Sequence, residues 1–119
     1  MTAHDAADHL PVGLFPALPV CWALLDDLET EDALEELHNW TDWVLDRYRL
    51  DHRTIPTCWD QHGALIEELS ALRIAWLAAY AITARPEAPL EWHQEFTAAN
   101  HRMSDWTART GCRRGEHRE

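Results

Sequence analysis

The 119-residue chain contains no lysine, so all ten of its basic residues are arginine, set against 21 acidic ones. The resulting net charge of −11 disfavours nonspecific binding of nucleic acid by the surface as a whole. No stretch reaches the ~18 uncharged apolar residues that span a bilayer, and Met1-Thr2-Ala3-His4-Asp5 has no basic region followed by an apolar run. Membrane insertion and secretion are therefore not expected, and a cytoplasmic location is. Cysteine is scarce: Cys21, Cys58 and Cys112, an odd number at irregular spacing, do not form a disulfide framework and read as thiols of a reducing compartment. The ordinary fate of each is burial as a small hydrophobe. Gly-rich phosphate loops, nucleophile elbows, His-Glu-x-x-His helices and Pro-Cys-x-x-Cys motifs are all missing, which leaves catalysis the least supported class.

What is present is apolar bulk. Apolar residues make up 46% of the chain, seven of them tryptophan, enough at this length for one core without staples. Residues 1–25 carry Pro11, Pro16, Pro19 and Gly13, which exclude persistent helix and predict an extended arm that packs through Leu10, Val12, Leu14, Phe15, Leu18 and Val20. Residues 26–119 read as a helical domain. Leu34, Leu37, Trp40, Val44, Leu45 and Tyr48 form one stripe of a helix over 30–49, with Thr30 as N-cap and acids in the first turns. Leu65, Leu69, Leu72, Trp76, Ala79 and Tyr80 mark a second helix over 59–84, and Arg85-Pro86-Glu87-Ala88-Pro89 breaks it. A third, over 89–110, opens with Pro89 and closes at Gly111, with Trp92, Phe96, Asn100, Met103 and Trp106 on one face. No strand alternation or internal repeat interrupts this pattern, so the expected fold is all-α, a small three-helix bundle with a Pro-rich N-terminal arm.

Two Cys/His pairs stand at the helix ends. Cys58 precedes the second helix and His62 falls in its first turn, four residues on; Cys112 and His117 follow the third helix, five residues apart. Helices of about 26 and 22 residues span roughly 39 and 33 Å, and a short linker sets them antiparallel, so the end of the third returns to the start of the second. Cys58, His62, Cys112 and His117 would then meet at one end of the bundle as the two-thiolate, two-imidazole set that tetrahedral Zn2+ prefers. The competing uses are a Cys58–Cys112 disulfide, disfavoured in a reducing compartment, and simple burial of each residue. Cys21 is expected in the core, as is the series Trp40, Trp43, Trp59, Trp76, Trp92 and Trp106. His93 reads as a half-buried, satisfied histidine, and Glu91, two residues away, does not share its face.

The stretch from Trp40 to His117, about two-thirds of the chain, resembles a domain-of-unknown-function family of actinobacteria, their plasmids and phages. The resemblance rests on Trp43-Val44, Ile55-Pro56-x-Cys58-Trp59-x-x-His62, Leu69-x-Ala71-Leu72, Trp76-x-x-Ala79-Tyr80, Trp92-His93 and Gly111-Cys112 with His117. It implies a helical accessory protein of a mobile element and supplies no catalytic residues. Three functional classes follow. In the first, a non-enzymatic zinc-pinned module presents the acidic stretch from Asp26 to Asp51 to a basic partner protein. In the second, Arg102, Arg109, Arg113, Arg114 and Arg118 grip nucleic acid near the metal end. In the third, three ligands and a water make an enzyme.

Overall fold

Helix α1 spans Asp27–Tyr48 and begins four residues before the position that Thr30 as a cap would set. Asp26 caps instead: its Oδ1 accepts from the Glu29 backbone N–H at 2.7 Å, while Glu29 Oε1 accepts from the Asp26 N–H at 3.0 Å. This reciprocal capping box satisfies two N-terminal donors at once, which a lone Thr30 hydroxyl cannot do. Thr30 lies inside the first turn, its N–H donating to the Asp26 carbonyl. Asp26→Ala should cost about 1 kcal/mol of stability, read as a lower urea midpoint at unchanged slope.

The computed structural model describes residues 17–112 and 117–118. Within them the fold is all-helical: α1, then α2 over Gly63–Ala79 and α3 over Ala88–Thr110, with 3-10 turns at Trp22–Leu24 and Trp59–Gln61. No strand occurs among the described residues, and none of their helices is long and apolar enough to cross a membrane.

α2 is shorter than its apolar spacing predicts at both ends. Residues 59–61 wind as a 3-10 turn, and His62, at φ −125° and ψ 109°, is extended and serves as the N-cap. At the other end Tyr80 closes the helix, and residues 80–87 form turns rather than a further helical turn. Packing overrides local propensity here: the early stop lets α3 fold back with the indole N–H of Trp92 donating to the Leu72 carbonyl at 3.1 Å. α3 matches its expected limits, with proline in its first turn and Gly111 at φ 75° as its left-handed cap.

The core joins all three helices. Trp40 and Val44 of α1, Leu65 and Leu69 of α2, and Met103 of α3 are fully buried, with Ile55 and Trp59 sealing the connection before α2. Trp43 of α1 packs on Trp76 of α2 at 5.2 Å between ring centroids, and Tyr48 packs on Phe96 of α3 at 4.6 Å. Trp106 departs from the expected core: it is 38% exposed and carries the Arg109 guanidinium 4.7 Å from its ring centroid. The amphipathic stripe of α3 therefore ends at Met103 and Thr107.

Most of the predicted N-terminal arm, residues 1–16, lies outside the described residues. From Ala17 onward the chain lies against the outer side of α2, where Ala17, Pro19 and Val20 face Ser70, Ile74 and Ala78 across a partly open cavity of about 320 Å³. Trp22 is the arm's packing anchor on the core. Cys21 is exposed rather than in the core, because its neighbour Trp22 takes the inward position at the 3-10 turn.

Candidate metal centre

The centre is assembled by two chain segments that hydrogen bonds pull together. After α1, the Ile55 N–H returns to the Asp51 carbonyl, and Ile55 and Pro56 are buried. The Thr107 hydroxyl of α3 donates to the Thr54 carbonyl at 3.0 Å, and Thr54 Oγ1 lies 3.3 Å from Ser104 Oγ. These contacts bind the approach to Cys58 against the last turns of α3. Buried Trp59 then anchors the 3-10 turn, which reverses direction through Trp59 N–H to Pro56 O and His62 N–H to Trp59 O.

This turn, not an α-helical face, brings Cys58 and His62 together. The predicted route placed His62 in the first turn of a helix; the observed His62 stands outside α2 as its cap, yet its Nε2 lies 3.5 Å from Cys58 Sγ. On the other side, the left-handed Gly111 turns the chain off α3, and the Cys112 N–H donates to Thr110 Oγ1 at 3.1 Å. A Cβ at position 111 would be strained by that φ of +75°.

The two halves meet. Cys112 Sγ lies 3.5 Å from Cys58 Sγ, 3.4 Å from His62 Nε2 and 3.5 Å from His117 Nδ1. One donor atom from each of Cys58, His62, Cys112 and His117 lies within 4.8 Å of every other, close enough to bind a single metal ion. Both cysteines are free thiols, and their separation exceeds the roughly 2.05 Å of a disulfide bond. The site grades outward, with Cys58 buried, His62 and Cys112 half-buried, and His117 exposed.

Electrostatics divide the two thiols. Burial, reinforced by the facing Cys112 sulfur, pushes Cys58 up to about 11. For Cys112, desolvation also acts upward but is outweighed by hydrogen bonds from Thr110, the Arg118 backbone, Cys58 and His62, which bring it down to about 6. Cys112 is therefore the sulfur prepared to carry negative charge, and the Arg118 N–H donates to it at 3.0 Å. Such an N–H to a sulfur ligand is the outer-shell contact that fixes and tunes a thiolate.

Sequence reasoning missed the supports around these four residues. His38 Nε2 lies 3.0 Å from Asp60 Oδ2, and the His38 ring rests 4.5 Å from that of Trp59, fastening the turn between Cys58 and His62 to α1. The available signal was the position of His38 four residues after Leu34, on the flank of the apolar stripe. The Thr54–Thr107 contact had no local signal, since 53 positions separate the partners.

The remaining expected residues stand apart from the cluster. His93 is half-buried with Nε2 3.1 Å from the Tyr48 hydroxyl, and Tyr48 is pushed up by burial and by Tyr80, against Arg47. Glu91 is engaged by Arg85. Of the arginines, Arg102 is held by Glu68 at 2.8 Å, Arg109 lies over Trp106, and Arg118 contributes backbone to Cys112; Arg113 and Arg114 lie outside the described residues. No family model matches the chain, and neither the curated proteins nor the solved structures yield a match.

Proposed function

We propose that this chain is a non-enzymatic interaction module whose α2–α3 end is pinned by zinc held through Cys58, His62, Cys112 and His117. The observation that carries this reading is the donor set itself. Zinc with bonds of about 2.3 Å to sulfur and about 2.05 Å to nitrogen has tetrahedral edges near ~3.8 Å for S···S and ~3.6 Å for S···N. The four close pairs, at 3.4 to 3.5 Å, lie within about 0.3 Å of those edges. Four protein ligands close a tetrahedral site, the pattern of structural rather than catalytic zinc, whereas an enzyme would keep one position for water.

The partner surface in this reading is the outward face of α1. Glu31, Asp32, Glu35, Asp42 and Asp46 are exposed along it, and Glu36 is engaged by Arg73 at 3.6 Å. A face of one charge sign attracts a basic partner protein, with a salt-dependent rate of encounter. The resemblance to mobile-element proteins accords with an accessory role of this kind. The exposed Trp106 under Arg109 supports a second reading, nucleic acid gripped at the metal end, which a flat gel-shift titration at low salt would remove.

The test is elemental analysis of protein purified under reducing, chelator-free conditions. Near-stoichiometric zinc is expected, and its loss in both Cys58→Ser and Cys112→Ser. A metal-free wild type, or full occupancy in either variant, overturns the zinc site. Capture of a basic partner at physiological salt should fail after Glu31, Asp32 and Glu35 are replaced by their amides; unchanged capture sinks the acidic-face reading.

A further inference from the structure

We propose that the metal centre is also a two-electron thiol switch, in which a hydroperoxide joins Cys58 to Cys112 and the zinc leaves. The inference rests on the zinc reading above and adds its regulation. Three features of the site carry it. The two sulfurs face each other at 3.5 Å with no atom of the fold to cross, so closing to a bond needs a shift of about 1.5 Å. Cys112 follows a left-handed glycine at the end of α3, outside any helix, where backbone adjustment is least costly. Exposure is asymmetric: Cys112 is half-buried beside the exposed His117, while Cys58 is buried, so an oxidant in solution meets Cys112 first.

The chemistry balances with the hydroperoxide as the only co-reactant besides solvent protons. The Cys112 thiolate attacks the terminal peroxide oxygen; the O–O bond breaks, the alkoxide or hydroxide leaves and takes a proton, and Cys112 becomes a sulfenic acid. Cys58, 3.5 Å away, attacks that sulfur as thiolate and displaces its hydroxyl, which leaves as water after protonation. Two sulfurs have each lost one electron, the peroxide has gained both, and zinc keeps only His62 and His117, too few ligands to retain it. Cys21 is exposed and outside the cluster, so it takes no part in this exchange.

The fold gives the switch its consequence. Zinc and disulfide are alternative cross-links between the same two segments, so the pre-α2 turn stays joined to the end of α3 in both states. Oxidation releases the imidazoles of His62 and His117, which stand with ring centroids 4.8 Å apart, and removes the charged sulfur that the Arg118 N–H contacts. His117 and the Arg118 backbone are thereby released from the site without unfolding the core.

The experiment uses zinc-loaded protein carrying Cys21→Ser, titrated with hydrogen peroxide. A chromogenic chelator follows zinc, thiol titration follows the cysteines, and non-reducing digestion identifies the linked peptides. The expected result is one zinc released per pair of thiols lost, a Cys58–Cys112 peptide, retained helical circular dichroism, and rebinding of zinc after dithiothreitol. Zinc retained while peroxide is in excess overturns the switch, as does zinc released only as sulfinic or sulfonic acids accumulate, or only with disulfides between chains. A protein that takes up no zinc fails the metal reading and this one with it; a protein that holds zinc yet forms no intrachain disulfide fails this one alone.

Discussion

Chelation of zinc should lower the melting temperature by about 15 °C. A ligand that binds only the folded state stabilises it by about 4 kcal/mol when its free concentration is a thousandfold above the dissociation constant, and a domain of this size gains roughly 4 °C per kcal/mol. The loss should be local before it is global. In that reading the four side chains tie the turn before α2 to the segment after α3, and the buried core continues from there through Leu65, Leu69, Trp40 and Met103. Calorimetry with and without a strong chelator measures the shift, and hydrogen exchange should show residues near 55–62 and 107–112 losing protection first. A shift below about 2 °C would mean that these four side chains hold no stabilising ion.

Trp40→Ala should destabilise the domain by about 4 kcal/mol in zinc-loaded protein, the largest expected effect of a single core truncation. Trp40 has zero exposure and packs on Trp76 at 6.3 Å between ring centroids, so its removal leaves a void bounded by α1 and α2. Total stability for a domain of this kind is about 5–15 kcal/mol, and the truncated protein would sit near the unfolding threshold at 37 °C. Trp40→Phe should cost much less, roughly 1–2 kcal/mol, because the lost indole N–H has no hydrogen-bond partner among the described residues. Urea titrations of the two variants separate the cavity contribution from the polar one. Equal losses would show that the indole outline, rather than filled volume, is what the core requires.

The core was readable because α1 and α3 are amphipathic with a 3.6-residue period, so Leu37, Trp40, Val44, Trp92, Phe96 and Met103 announce their inward face by spacing alone. Where the period is diluted, spacing misleads. α2 is apolar around most of its circumference, and its apolar residues continue past both of its true ends, so the helix was read too long by four residues at the start and five at the finish. Trp106 kept the period of α3 and is still 38% exposed, with the Arg109 guanidinium over its ring.

Composition and spacing alone determined that the described residues are all-helical, that they hold three principal helices, and that two Cys/His pairs stand where a hairpin would bring them together. These are consequences of local propensity, capping and the antiparallel return of one helix on the next, all of which act over a few residues or one short linker. Tertiary structure decided the rest. It set the 3-10 turn that aims Cys58 at His62 and the bond from Thr107 to Thr54 that joins segments 53 residues apart. It also placed Cys21 outside and gave Cys58 and Cys112 opposite electrostatic surroundings. The physical reason is common to all of these: burial and hydrogen-bond partners are properties of what the folded chain brings near, and no single segment specifies its neighbours.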